Sequence, residues 1–485
     1  MQDRKEDFKV TLNSIKEKVR DWEYRHLLTA RFIEYFFFFG LVLFATLYGF
    51  AHLNLIHTEP VSALYMLSAL VQSQAAIVAI VVSLTLIAVQ LTASAYTPRV
   101  IRIFLKTPDM WYLLSFYGFS IFLGLLFLKM IRAGEDSSQI VIFYSSLEYS
   151  ISFIYALGIS SFALLFLYFG NTINLLNPAN IIHRLQIEIT KDNLLNSEDP
   201  IQPIMDIVHG SIMNYDIETT RVGLKAVTQQ IIKVSDSNGE EKITEHFCKH
   251  LKRVGKLTVS REDEEATLEV IINLCDFMES TAEKGLELAT FQAAESLGHV
   301  GENAAKKGLE FATLGAATFL VTAGTVAAEE GLEDATRQTI RSLGTVGAVA
   351  AERGNVVEAA KAAMSLAGVG RTAAEEGFED ATRQAIKSLG DVGRTAVEKG
   401  EGLGLATSEA AKSLIDIGTA TVKKGIEDAT KQAAVSFAEL TILSEVNVKI
   451  ALLDYESKLE EQDRESFQKF MKIYEQELEK LRVEK

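Results

Sequence analysis

Cysteine is almost missing from this chain. Cys248 and Cys275 are the only two in 485 residues, and both fall in the part expected to face the cytoplasm, where thiols stay reduced. They are read as buried small hydrophobes, with no disulfide. A basic surplus is missing as well: 48 Lys and Arg stand against 64 Asp and Glu, and no basic stripe with interleaved aromatics reverses the sign locally. That argues against nucleic acid as a partner. The amino terminus lacks the short apolar core and small-residue cleavage site of a signal peptide, so nothing is expected to be removed. No Gly-rich loop ends in Gly-Lys-Ser or Gly-Lys-Thr, and Gly400-Glu-Gly-Leu-Gly404 resembles a dinucleotide fingerprint only in composition, since no strand precedes it. No Ser, Cys or Thr stands in a recognisable nucleophile setting. His246 and His250 stand four apart and could present two metal ligands from one helix face, yet the sequence offers no third ligand. They are read as helix-surface histidines. No catalytic residue, cofactor or metal is expected, and the chain is not read as an enzyme.

Apolar residues make up 48% of the chain and charged residues 23%, an ordinary average that hides a division. Residues 1–178 hold 13 Lys and Arg and 12 Asp and Glu, leaving 35 and 52 for residues 179–485. The acidic surplus therefore lies wholly in the second part. The first part has four runs of the ~20 apolar residues that a helix needs to cross a bilayer core, at about 32–50, 63–95, 110–128 and 141–170. The expected fold class is all-α: a four-helix transmembrane domain followed by a cytoplasmic α-solenoid of short helical repeats. Its expected divisions are a cytoplasmic amphipathic segment (1–30), a transmembrane domain (31–178), a helical soluble domain (179–279), a repeat array (280–436) and an amphipathic helical cap (437–485). Lys and Arg beside a span are retained on the cytoplasmic side. Arg20, Arg25 and Arg31 before the first run, with Arg99, Arg102 and Lys106 after the second, outweigh Lys129 and Arg132 and put both termini inside, in the plasma membrane.

The second run has no charge over 39 residues, Pro60 to Pro98. As helix it would be about 58 Å long, so it must tilt, break or project. Its residues Gln72, Ala76, Ala79, Ser83, Gln90 and Ser94 recur at intervals of three, four or seven, close to one helical face. Two readings stand: a seam packed against a neighbouring helix, or the lining of a water-filled path. Glu148 is either a charge inside the fourth span, a functional candidate by default, or an interfacial residue if that span starts near Tyr149. Glu34, beside Arg31, is read as a cytoplasmic-edge ion pair.

The segment 72–104 resembles a signature of a prokaryotic family of predicted membrane proteins, domain of unknown function 2254. Ser83-Leu84-Thr85, Gln90-Leu91, Ala93-Ser94, Tyr96 and Pro98-Arg99-Val100 carry the likeness. A second similarity lies at 207–227, with Asn214-Tyr215-Asp216 and Thr219-Thr220, although the Pro that usually follows the Asp is absent. The resemblance covers about residues 30–235 and implies a multi-pass membrane protein, with no activity to carry over.

In the second part EEGLEDATRQTIRSLGTVG (329–347) recurs as EEGFEDATRQAIKSLGDVG (375–393). Aligned on one glycine the units start at Gly285, Gly308, Gly331, Gly354, Gly377, Gly402 and Gly425, a period of 23 with one insertion of two. Seven such units imply an array. Ala335, Ile340 and Leu343, like Ala381, Ile386 and Leu389, fall on one helical stripe. Each unit is read as a helix of about thirteen residues, a turn at Gly344 and Gly347 or Gly390 and Gly393, and a short second helix, stacked into a solenoid. The Ser-Leu-Gly-x-Val-Gly stretch resembles the first-helix ending of HEAT-like repeats. The rival reading is an amphipathic or disordered segment lying on lipid. The uncharged stretch 311–328 is read as the best-buried unit of the array, not a fifth span. The final 437–485 is an amphipathic hairpin that caps the array or oligomerises as a coiled coil.

Two functions are compatible with this layout. One is a membrane-anchored interaction or sensing protein whose repeat surface binds a cytoplasmic protein. The other is an oligomeric ion channel or transporter, gated by the cytoplasmic part, with Gln72, Ser83 and Gln90 along the path. The partners expected are the lipid bilayer, a cytoplasmic protein and further copies of the chain.

Overall fold

The computed structural model describes residues 27–53, 60–95, 108–133, 147–196, 199–235 and 241–484, and among these there is no strand. The chain forms two compact units, Met1–Glu188 and Ile189–Lys485.

The first unit is built on α1 (Leu27–His52), α2 (Pro60–Ala95), α3 (Asp109–Ala133) and α4 (Leu147–Leu176), followed by the short α5 (Pro178–Glu188). Pro178 ends α4, because proline lacks the N–H that would continue the helix, and the Asn177 side chain accepts from the Ala179 N–H at 3.0 Å to start α5. The long second run is one unbroken helix of 36 residues, about 54 Å, since no Gly or Pro interrupts it after Pro60. α4 packs against α1, α2 and α3. At one end Tyr35, Val81, Leu113 and Leu164 share a core; at the other Leu67, Phe127, Ile151 and Ile154 do. The start of α1 and α3 and the end of α2 and α4 thus meet at the same end, so neighbouring helices alternate in direction. Gly158 lets α4 approach α2 closely, for a Cβ there would stand 2.7 Å from Leu70.

The second unit runs through α6 (Lys191–Asn196), α7 (Gln202–Met213) and α8 (Ile217–Val234) to α9 (Glu241–Ser260) and α10 (Glu264–Glu283). It continues with α11 (Glu287–Lys307), α12 (Glu310–Glu329), α13 (Glu333–Arg353), α14 (Val356–Glu376), α15 (Glu379–Lys399), α16 (Gly404–Lys424) and α17 (Glu427–Leu443). From α7 to α17 each helix packs on the next and on the one after it. The result is two rows, α9, α11, α13, α15 and α17 in one, α10, α12, α14 and α16 in the other. The stacking does not begin at 280: α8 already packs on α10, and α9 on α11.

The internal anatomy of a unit differs from the reading of a helix, a Gly turn and a short helix. Each 23-residue unit is a single helix, of 21 residues in α13 and α15. Gly344, Gly347, Gly390 and Gly393 lie inside those helices, where the missing side chain admits a neighbour: a Cβ on Gly347 would stand 2.9 Å from Ala362. The chain reverses instead at the glycines that open each unit, such as Gly354, with φ of +81°. After α11 the Leu309 N–H reaches the Ala304 carbonyl at 3.0 Å and the Gly308 N–H reaches Ala305 at 3.1 Å, the paired bonds that close a helix around a left-handed residue. The sixth member of this series is Gly400, with φ of +109°, not Gly402. The two-residue insertion follows it as the turn Glu401–Leu403. A full structural repeat is therefore two helices, which is why the nearest sequence copies, 329–347 and 375–393, lie 46 apart.

The uncharged stretch 311–328 is α12, which packs in frame between α11 and α13 and against α10 and α14. It is long and apolar enough to cross a membrane, although shorter and less apolar than the four helices of the first unit. It is not the best-buried unit, because nine of its residues are buried against thirteen in α16. At the chain's end α18 (Glu445–Lys458) and α19 (Arg464–Glu484) fold back on α16 and α17. Phe470 is fully buried over Gly418, and the Tyr474 ring lies 4.6 Å from Phe437.

Candidate functional site

Polar residues inside the apolar bundle sort onto two sides of α2. Gln72, Ser83 and Gln90 are exposed. Ser94 lies on the same helix with its side chain outside the described residues, as do Tyr96, Pro98 and Arg99 entirely. The packed side is marked by Gln74 and Thr85, about 200° round the helix from Gln72 and Ser83. Gln74, 1% exposed, donates to Ser120 on α3 at 2.9 Å, and Thr85 meets the Tyr168 hydroxyl on α4. The eleven-residue interval from Gln74 to Thr85, about three turns, was the sequence signal for that face. Glu148 is the second residue of α4, and the helix's long apolar stretch begins after it, at Tyr149.

Arg31, Glu34 and Asp109 gather where α1 and α3 begin and α4 ends. Arg31 pairs with Glu34 at 2.5 Å, as its spacing implied, and lies 3.6 Å from Asp109. Asn171 on α4 donates to Asp109 at 3.0 Å. Arg31 and Asp109 are both buried, so this knot fastens three helices at one end of the bundle.

The repeat array has two unlike edges. The third residue after the turn glycine is Asp334, Asp380 or Asp428 in α13, α15 and α17, and the first two pair with Arg337 and Arg383 on the following turn; α11, at the start of that row, has Leu288 there, 42% exposed. In the other row the equivalent residues, allowing for the insertion, are Phe311, Val357 and Leu405, exposed by 69%, 60% and 53%. Because α12, α14 and α16 stack in succession, these three form an apolar ladder. Its signal in the sequence was the alternation of apolar and acidic residues from unit to unit, which a 23-residue alignment averages away.

Histidines 246 and 250 are not a pair of surface side chains. His250 is 3% exposed, and both rings face Asp199, which the sequence places far away. Asp199 Oδ2 lies 2.8 Å from His246 Nε2 and 2.8 Å from His250 Nε2, and the two Nε2 atoms are 3.1 Å apart. Burial alone would raise the Asp199 carboxyl, but hydrogen bonds from His250 and His246 outweigh it and hold the group well below the usual carboxylate range. Among the described residues this is the cluster of His, Cys, Asp and Glu donors close enough to hold a metal ion.

No curated protein matches the chain. A solved structure, a "Circular tandem repeat protein with novel repeat topology and enhanced subunit contact surfaces", is similar at 15% identity with a TM-score of 0.35, covering 87% of this chain and 96% of that one. Residues 31–218 match a family described as "Predicted membrane protein (DUF2254)", close to the extent over which the resemblance was expected. Over residues 31–218 the chain is thus similar to this predicted membrane protein family, and a helical repeat array follows.

Proposed function

We propose that α1 to α4 cross the plasma membrane with both termini in the cytoplasm, and that the repeat array is a docking surface for a cytoplasmic protein. Large apolar side chains that face outward from the bundle, among them Phe37, Phe44 and Phe166, support insertion, since lipid is the solvent in which such a surface costs nothing. The observation that carries the docking reading is the ladder of Phe311, Val357 and Leu405. Exposed apolar residues scattered singly need no explanation, whereas a row repeated from unit to unit marks an interaction surface. The partner fitted by an apolar ladder on an acidic domain is a basic segment with apolar anchors. A photo-crosslinking residue placed at 311, 357 or 405 of the full chain in cells should give the same protein adduct at all three sites and none at exposed Lys306. Absence of adducts, or the same pattern at Lys306, refutes it.

A second reading rests on Gln72 and Gln90. An exposed amide at membrane depth, such as that of Gln72 in the apolar stretch of α2, is costly unless its hydrogen bonds are made; its Nε2 donates to Ser68 on the same helix at a long 3.4 Å, and its second N–H and carbonyl oxygen are further sites for a partner. A second copy of the chain presenting the same face would supply that partner, and in a ring of copies the face would line a path. Full-length protein in liposomes should then show ion or solute flux that changes when Gln72, Ser83 or Gln90 becomes Leu. Flux identical in all variants leaves the bundle as an anchor.

A further inference from the structure

Donor atoms from residues as far as 51 positions apart converge at the start of the second unit. We propose that Asp199, His246 and His250 bind one divalent transition-metal ion of the zinc class, with the remaining coordination position open to water. Four observations on the cluster lead there.

The first is proton arithmetic. The three donor atoms make three mutual contacts of 2.8, 2.8 and 3.1 Å. Each Nε2 carries at most one proton and a carboxylate carries none, so at most two of the three contacts are hydrogen bonds. If both rings donate to Asp199, two N–H groups confront each other; if one ring donates to the other, a lone pair confronts the carboxylate. A metal ion at the centre satisfies all three donors at once.

The second is preorganisation of the carboxylate. Asp199 Oδ1 accepts from the backbone N–H of Ile201 at 3.0 Å and of Gln202 at 3.3 Å, at the start of α7. The group is therefore held in place by one oxygen while the other points at the histidines, as an outer-shell bond does for a metal ligand.

The third is size. In tetrahedral zinc sites with bonds of about 2.0–2.2 Å, ligand atoms stand roughly 3.3–3.5 Å apart. The two Asp199–His edges of 2.8 Å need to open by roughly 0.5–0.7 Å and the His–His edge of 3.1 Å by roughly 0.2–0.4 Å. His246, whose side chain is 45% exposed, is free to open the two edges it shares, and a shift of the part-buried Asp199 carboxylate opens the third while His250 stays buried.

The fourth is ligand chemistry. Two imidazoles and one carboxylate suit zinc and its neighbours, and not magnesium or calcium, which take oxygen ligands. The graded burial, from His250 to His246, leaves one side open for ion entry and for water. Bound metal would tie the segment before α7 to the middle of α9, closing the first end of the stacked array.

The test uses tag-free full-length protein in detergent, stripped with a chelator and titrated with Zn2+ against a competing dye, and with Co2+ followed by its visible spectrum. One equivalent of Zn2+, a tetrahedral Co2+ spectrum and a raised unfolding temperature are expected. His246→Ala and Asp199→Asn should weaken binding by more than the roughly tenfold to hundredfold that loss of an outer-shell partner costs. Both should abolish the thermal shift. His246 is exposed, so its replacement keeps the chain folded, and the unfolding profile of each metal-free variant separates lost binding from lost folding. Absence of stoichiometric Zn2+ binding, an unchanged affinity in His246→Ala, or preference for Mg2+ or Ca2+ would overturn the proposal.

Discussion

Gly298, within α11, tests whether the mid-helix glycines are contact points or helix ends. A Cβ there would stand 2.3 Å from Ser342 Cβ and 3.1 Å from Ser342 Cα on α13. Since backbone is among the atoms met, the helices must move apart. In an exposed helix interior Gly→Ala stabilises by about 1 kcal/mol. Here overpacking costs about 1–3 kcal/mol, and separation also strains the Ser342 hydroxyl bond to the Ala294 carbonyl, 3.0 Å long, worth about 1 kcal/mol. Gly298→Ala should therefore destabilise by a net 1–3 kcal/mol, roughly, lowering the unfolding temperature by about 2–4 °C per kcal/mol. Combining it with Ser342→Gly should return part of that loss, with a coupling of about 1 kcal/mol or more for two residues in contact. Thermal unfolding of the purified full-length chain and its three variants, followed by circular dichroism, gives the cycle. If Gly298→Ala is as stable as the parent, or if the losses simply add, the close contact between α11 and α13 is refuted.

Gly354→Ala should cost about 1–2 kcal/mol for a different reason, because its φ of +81° is left-handed and nothing lies within 4 Å of the added Cβ; no neighbour should rescue it in the same thermal assay. Gln74→Leu leaves the buried Ser120 hydroxyl without the amide and should weaken the bundle by about 0.5–2 kcal/mol, a loss reduced when Ser120→Ala is added, as read from unfolding in mixed micelles. Burial, with the nearby Glu295 charge, pushes the Cys248 thiol up to about 12. The native protein therefore holds this proton more tightly than the unfolded chain, whose thiol titrates near 9. That contribution to stability is complete below about pH 9 and is lost as pH rises towards 12, so unfolding temperatures should fall across that window more steeply in the parent than in Cys248→Ala. At neutral pH Cys248 should resist maleimide until the protein is unfolded, as mass spectrometry would report.

The sequence by itself determined the all-helical class and the four apolar helices, because both rest on properties that act locally. An uncharged run of twenty or more residues becomes an apolar helix whatever surrounds it, and a glycine recurring every 23 residues marks a reversal that only left-handed backbone makes. The stripe of Ala335, Ile340 and Leu343 was legible for the same reason, and all three are fully buried. What remained was decided by contacts between residues far apart. Gly344 and Gly354 are the same letter in the sequence; only the approach of Ser388, 2.5 Å from where a Cβ on Gly344 would be, makes one a contact point and the other a turn. Polar periodicity found a face of α2 in Gln72, Ser83 and Gln90, but which face packs was set by Ser120 and Tyr168, partners on other helices. Asp199 reached the histidines only through the stacking of α7 beside α9. Spacing fixes which side of a helix a residue occupies, and tertiary structure alone fixes what meets it there.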